Sequence, residues 1–227
     1  MAKIAGASIL REELWKPASR LAIVRHQPLF PPLEAPLLKS LFQKGLSRGG
    51  IVEIYGLRSS GRTSVYLHIL AQATARGEVC AVIDLNGSFH PLSAAMAGVR
   101  VSQLLWVRCR GNAEHAMRAA DLLLHAGGFG AVVLDLSEAS ARVLNRIPLP
   151  YWYRFRSAVE NTPAILIVCT PSAQVKSSFR QDLQLKRKVF HWSGKAPFLV
   201  FRGIEFAAIL NDARAFLPAP LTLQTVA

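Results

Sequence analysis

The chain has 227 residues, 51% hydrophobic and 18% charged, which is enough apolar material for one ordinary domain and too much for a disordered tail. No apolar run reaches the ~18–20 residues that a membrane span needs, and the short apolar start at residues 4–10 runs into Arg11, Glu12 and Glu13, against a secretory signal. Lys and Arg number 27 against 14 Asp and Glu, and residues 141–202 hold 11 of those cations against Glu160 and Asp182 alone, so the basic half suits a polyanion or an acidic protein, or serves only solubility.

In chain order, residues 1–35 read as an N-terminal arm: residues 8–15 suit one short helix, and Pro17, Pro28, Pro31, Pro32 and Pro36 interrupt the chain beyond it. Leu37, Leu38, Leu41 and Phe42 recur at helical spacing, with Gly45 as a C-cap. Then strands and helices alternate. Residues 51–55 predict a strand and 63–76 a helix. Val79–Asp84 predicts a second strand, and residues 91–97 a short helix with Pro91 in its first turn. Residues 104–107 predict a third strand. Ala113–Ala126 is helical, with Ala116, Met117, Ala120, Leu123 and Leu124 on its core face and Gly127-Gly128 stopping it. Residues 131–135 predict a fourth strand, 151–160 a helix, and 164–169 a fifth strand.

Five apolar strands separated by helices predict an α/β fold: a mostly parallel sheet flanked by helices on both faces. After Cys169 the rhythm changes. Residues 189–192, 198–202 and 206–210 are strand-like with connections too short for helices, which predicts antiparallel strands at the C-terminal edge. The core domain is read as residues 36–212, and 213–227 as a loose tail with Pro218 and Pro220. Cys80, Cys109 and Cys169 lie in or beside apolar runs without metal-ligand spacing, as reduced core thiols of a cytoplasmic protein do.

The strongest local motif is Gly56-Leu57-Arg58-Ser59-Ser60-Gly61-Arg62-Thr63-Ser64, between a predicted strand and a predicted helix. It has the G-x-x-x-x-G-K-[ST] spacing, in which glycines let the backbone curl around a phosphate at a helix N-terminus, a lysine reaches the outer phosphates and a hydroxyl holds magnesium. Arg62 stands in place of the lysine. It keeps the charge, but its planar fork is not an equivalent point charge. Asp135, ending an apolar strand, is the second half of such a site, so Thr63 and Asp135 are the candidate metal ligands. The alternative is an ordinary Gly-Ser turn and a strand-end aspartate.

Gly49-Gly50-Ile51-Val52-Glu53-Ile54-Tyr55-Gly56, the loop through Thr63, Cys80-Ala81-Val82-Ile83-Asp84, Pro91, and Gly127-Gly128 before the strand ending in Asp135 together resemble the RecA recombinase family over roughly residues 45–170. The short chain and altered loop are more similar to the small RecA relatives, the ImuA and SulA-like proteins that accompany error-prone polymerases. The resemblance implies a RecA-like P-loop core and ATP with magnesium as ligand, or no cofactor at all where the site is lost. It puts a catalytic glutamate two residues beyond Asp84, where this chain has Asn86. An amide accepts no proton, and loss of a general base costs ~10²–10⁴ in rate. It puts an adenine contact at His90 and a phosphate-sensing glutamine where Thr170-Pro171 stands.

The resemblance also implies DNA-binding loops at residues 137–150 and 172–185, which carry Arg142, Arg146, Lys176 and Arg180, with Lys186-Arg187-Lys188 directly after them. Tyr151-Trp152-Tyr153-Arg154-Phe155-Arg156 interleaves rings and cations. Trp152, Phe155 and Val159 share a core-facing spacing, which leaves Tyr151, Arg154 and Arg156 for single-stranded DNA or a protein partner. The expected function is a RecA-like accessory protein in DNA-damage tolerance that binds a RecA-type recombinase or translesion polymerase components, and DNA on its basic face, without membrane association and with little or no ATP hydrolysis. The competing reading is a DNA-dependent ATPase with an unconventional site, in which Glu53 or Glu138 serves as base. A small-molecule kinase fits the strand count less well.

Overall fold

The predicted apolar runs become the parallel strands of one sheet, with helices on both faces. The structure is a computed structural model that describes residues 33, 45–175, 180–212 and 221–226. Its elements are β1 (Gly50–Gly56), α1 (Arg62–Ala75), β2 (Val79–Asp84), α2 (Pro91–Met96), β3 (Leu104–Arg108), α3 (Ala113–Ala126), β4 (Phe129–Asp135), α4 (Ala141–Leu144), α5 (Leu149–Val159), β5 (Ile165–Thr170), β6 (Arg180–Ser193), β7 (Val200–Asp212) and β8 (Leu221–Val226). The sheet order is β3-β2-β4-β5-β1-β6-β7-β8.

Successive strand residues point to opposite faces, so each doubly covered strand feeds two cores. Val52, Ile54, Cys80, Val82, Val133, Ile167 and Cys169 pack with Val65, Ile69 and Leu70 of α1. Ile51, Ala81, Ile83, Val132, Leu134, Leu166 and Val168 pack with Ala116, Met117 and Ala120 of α3 and with Trp152, Phe155 and Val159 of α5. Leu33 pairs with Leu46 and joins the first core, while the helix expected over 37–42 and the rest of the arm lie outside the described residues.

The C-terminal edge is antiparallel as expected, β6 with β7 and β7 with β8. Three features differ. β6 is a 14-residue strand that pairs parallel with β1, from Ile51↔Arg180 to Gly56↔Leu185. Charged residues hide its first half, where Leu183 and Leu185 alone mark the buried face. The two runs expected at 198–202 and 206–210 form the single strand β7, because Gly203 sits inside it opposite His191, beside a register shift, rather than ending it. Part of the tail expected to be loose contributes β8, residues 221–226.

Candidate phosphate-binding site

The candidate loop leaves β1 at Gly56 and enters α1 at Arg62. Gly61 is the N-cap with φ +93°, a conformation that favours glycine, and neither a capping side chain nor an acid in the first turn meets the N–H groups of α1. The Ser60 N–H donates to the Leu57 carbonyl at 3.2 Å, while the buried Ser60 hydroxyl has no partner. The glycine at 56 is required by close approach: a Cβ there would lie 2.3 Å from the Leu185 carbonyl oxygen of β6 and 2.6 Å from Ser60 Oγ. Thr63 is exposed at the loop's end, and Ser64 and Ser59 flank it, half-buried and exposed.

The altered cation is bonded to the backbone beyond β4. Arg62 is buried, and its Nη1 donates to the Ser137 carbonyl at 3.1 Å. Arg58, exposed on the loop, pairs with Glu138, its Nε 2.9 Å from Glu138 Oε2. Two arginines thus tie the loop to the two residues just past Leu136 at the end of β4.

Four carboxylates stand near the carboxyl ends of the central strands, and each is held. Asp84 Oδ1 accepts from the N–H groups of Gly87 (2.7 Å) and Ser88 (3.0 Å), and Oδ2 accepts from Phe89 N–H (3.0 Å) and Trp106 Nε1 (3.2 Å). Asp135, beside Asp84 in the β2–β4 register, accepts from Ser137 N–H at 3.0 Å and from the Ser88 hydroxyl at 3.4 Å. Burial raises the Asp135 pKa, and the neighbouring Asp84 charge adds to this, while hydrogen bonds from Ser137 and the charge of Arg62 oppose it. The Tyr66 phenol, raised first by burial and then by Asp135, stays protonated. Glu53, fully buried in β1, accepts through Oε1 from Thr170 Oγ1 (3.2 Å) and Gln174 N–H (2.6 Å), and both its oxygens lie 3.2 Å from Val175 N. Glu138 is the partner of Arg58. The two carboxylates considered as substitute bases, Glu53 and Glu138, are therefore committed to the backbone after β5 and to the loop. Glu53 was legible as special, a charge amid Ile51, Val52 and Ile54, but its role as an anchor was not.

The remaining candidates separate. His90 is exposed, and its Nδ1 accepts from Ser93 N–H at 3.2 Å, capping α2. Asn86 is exposed in the loop that Asp84 organises. Arg142 and Arg146 are exposed on and just after α4. Arg154 of α5 is ion-paired with Asp121 of α3, and Arg156 is half-buried on the same helix. Tyr151, the ring expected outside, is half-buried and leans on Phe155 (5.8 Å between centroids), while Tyr153 is exposed. Lys176 lies outside the described residues, as does the side chain of Arg180, which opens β6. Lys186, Arg187 and Lys188 are exposed on β6. The basic candidates thus fall on two places, the α4–α5 region and the far half of β6.

A cavity of about 420 Å³, missed in the sequence, opens where β1 and β5 end, beside the middle of β6. Its lining includes Tyr55, Gly56, Arg58, Ser172, Gln184, Lys186 and Arg187, brought together by the parallel β1–β6 pairing.

A phosphate group fits the loop. The uncapped first turn of α1 and the unpartnered Ser60 hydroxyl offer donors, and Thr63 stands at the mouth. Thr63 and Asp135 would hold magnesium together with phosphate oxygens, since among the described residues no cluster of three His, Cys, Asp or Glu gathers for a metal. Bound magnesium would supply charge neutralisation of the phosphates. Arg62 would have to leave Ser137 to reach the ligand.

Residues 36–143 match the RecA N-terminal domain. The chain is similar to the RecA proteins of Rhodospirillum rubrum (43% identical over 91 residues, 40% of this chain and 25% of that protein) and Methylococcus capsulatus (39% over 115 residues, 51% and 33%). It therefore spans about a quarter to a third of the length of these relatives. In three dimensions it is similar to the crystal structure of the RadB recombinase, with a TM-score of 0.61 and 17% identity over 87% of this chain and 96% of that one. The fold is RecA-like: an α/β core with a mostly parallel sheet and an antiparallel C-terminal edge. Among the described residues, no helix is long and apolar enough to cross a membrane.

Proposed function

We propose that this chain is a RecA-like accessory protein of bacterial DNA-damage tolerance, which binds a RecA-type recombinase or a translesion polymerase assembly, holds DNA on its basic face and hydrolyses little or no ATP. The observation that carries the reading is the state of the carboxylates around the loop. A general base needs an oxygen free to take a proton from the attacking water. Asp84 takes four donors, Glu53 holds the backbone of residues 174 and 175, Glu138 pairs with Arg58, and Asp135 is buried beside Ser137. The position that bears the glutamate in RecA is Asn86. The similarity to the RecA N-terminal domain and to RecA proteins supports kinship with recombination and repair proteins. A fold that keeps the loop but lacks a base works by contact: its RecA-like edges meet a partner, with nucleotide as a structural ligand where it is bound.

The test uses the purified full chain. Phosphate release from ATP is measured with and without single-stranded DNA, and binding to a purified RecA recombinase and to a translesion polymerase is measured by co-sedimentation and light scattering. The reading expects binding without turnover. A chain that binds neither protein nor DNA overturns it.

A further inference from the structure

β6 runs eight residues past the end of β1, and this second half pairs with the first part of β7, from Lys186↔Ala207 to Ser193↔Val200, as a ribbon that β8 backs over Gly203–Ala208. Register shifts at Arg187/Val189 and His191/Trp192 increase its twist. Every residue from Lys186 to Trp192 is exposed. The exposed rings are large: Phe190 is 38% exposed, Trp192 56% and Phe198 83%. Folding does not explain leaving three aromatic rings on one ribbon, and contiguous exposed apolar surface marks a binding site. The charge is mostly positive. Between Leu183 and Ile204 the sequence has five Lys and Arg and no Asp or Glu, and Glu205, paired with Val189, is the acid that follows. Arg187 already lies over the Phe190 ring, 4.9 Å from its centroid, so cation and ring share one surface. At its base, Lys186 and Arg187 line the cavity beside Arg58.

We infer that this ribbon is a stacking platform for single-stranded nucleic acid, with the rings of Phe190, Trp192 and Phe198 against unstacked bases and Lys186, Arg187 and Lys188 along the phosphates. Rings favour single strands, because duplex bases are already stacked. The cations give affinity without sequence preference. The platform is separate from residues 137–150 and 172–185. The inference rests on the reading that this chain holds DNA and assigns that task to a surface outside those segments.

The test is fluorescence anisotropy of the full chain with a labelled oligo-dT and with a duplex of equal length, over a salt series. Wild type is expected to bind the single strand more tightly than the duplex, with affinity falling as salt rises. Trp192→Ala and Phe198→Ala each weaken single-strand binding about tenfold, and Trp192→Phe restores most of it. Circular dichroism melts and the binding of a recombinase partner report whether the variants stay folded. Single-strand binding that is unchanged in folded Trp192→Ala/Phe198→Ala overturns the platform and leaves DNA binding to the other basic region. No DNA binding by wild type overturns both. Equal affinity for duplex and single strand overturns stacking. Capture of polyglutamate or of anionic vesicles, but not oligo-dT, in a Trp192-dependent way overturns the nucleic-acid assignment in favour of an acidic protein or a membrane surface.

Discussion

Arg62 Nη1 donates to the carbonyl oxygen of Ser137 at 3.1 Å, so the cation that should face a phosphate is bonded to the backbone beyond β4. Arg58 and Glu138 make a second link between the same two segments. A guanidinium is planar and forked, and once it has found a carbonyl inside a protein it gives up that bond reluctantly.

A lysine at this position has a single flexible ammonium and no such fork. Arg62→Lys should therefore raise affinity for ATP, by about tenfold on the scale of one charge-assisted hydrogen bond. Titration with a fluorescent ATP analogue measures this. Wild type binding as tightly as Arg62→Lys would mean that the arginine already reaches the phosphates.

Glu53 is a buried carboxylate whose loss leaves the N–H groups of Gln174 and Val175 without an acceptor. Glu53→Ala should cost about 3 kcal/mol or more, because each orphaned buried donor costs ~1–3 kcal/mol. Denaturant unfolding gives the loss, and amide exchange at residues 174 and 175 should accelerate ahead of the rest. A loss within ~0.5 kcal/mol would show that the segment after β5 is held by other means.

Gly56 has no room for a methyl group, since the nearest atoms belong to the backbone of Leu185 and to Ser60 Oγ. Gly56→Ala should cost about 1–3 kcal/mol through overpacking and should part the end of β1 from β6 at Leu185. Thermal melts check the first, and accelerated amide exchange in β6 near Leu185 checks the second.

Asp135 supplies a pH test. Its folded-state pKa is raised, chiefly by burial, so the neutral form favours folding. That contribution is complete below the unfolded carboxylate value, ~3.9, and is lost as pH rises through the raised folded value. Asp135→Asn keeps the shape and removes the charge. It should raise Tm relative to wild type at neutral pH, and the gain should fade as the medium is acidified. A Tm difference independent of pH would show that burial of the charge is not the cause.

Much of this was legible in the sequence. The parallel strands were visible as apolar runs because both faces of each central strand are covered, and Trp152, Phe155 and Val159 fell on the buried side of α5 as their spacing required. The loop was visible because its glycines serve tight backbone geometry, which no other residue satisfies at Gly61. β6 was hidden where Leu183 and Leu185 alternate with Asp182, Gln184 and Lys186, a pattern short enough to pass for a polar connection. The anchoring acids were hidden for a different reason. Asp84 holds the N–H groups of Gly87, Ser88 and Phe89 close by, but Glu53 holds those of Gln174 and Val175, up to 122 residues away, and spacing along the chain carries no trace of such bonds. The half-buried pair of Arg48 and Glu78, in which Arg48 also reaches the carbonyls of Gly130 and Pro163, is of the same kind.

The central claim is that a phosphate loop survives here without the groups that would drive hydrolysis. The direct measurement is steady-state phosphate release from magnesium-ATP by the pure full chain, with saturating single-stranded DNA, beside Thr63→Ala. The account predicts no release above the buffer rate and no difference between the two proteins. DNA-stimulated turnover that Thr63→Ala abolishes would contradict it.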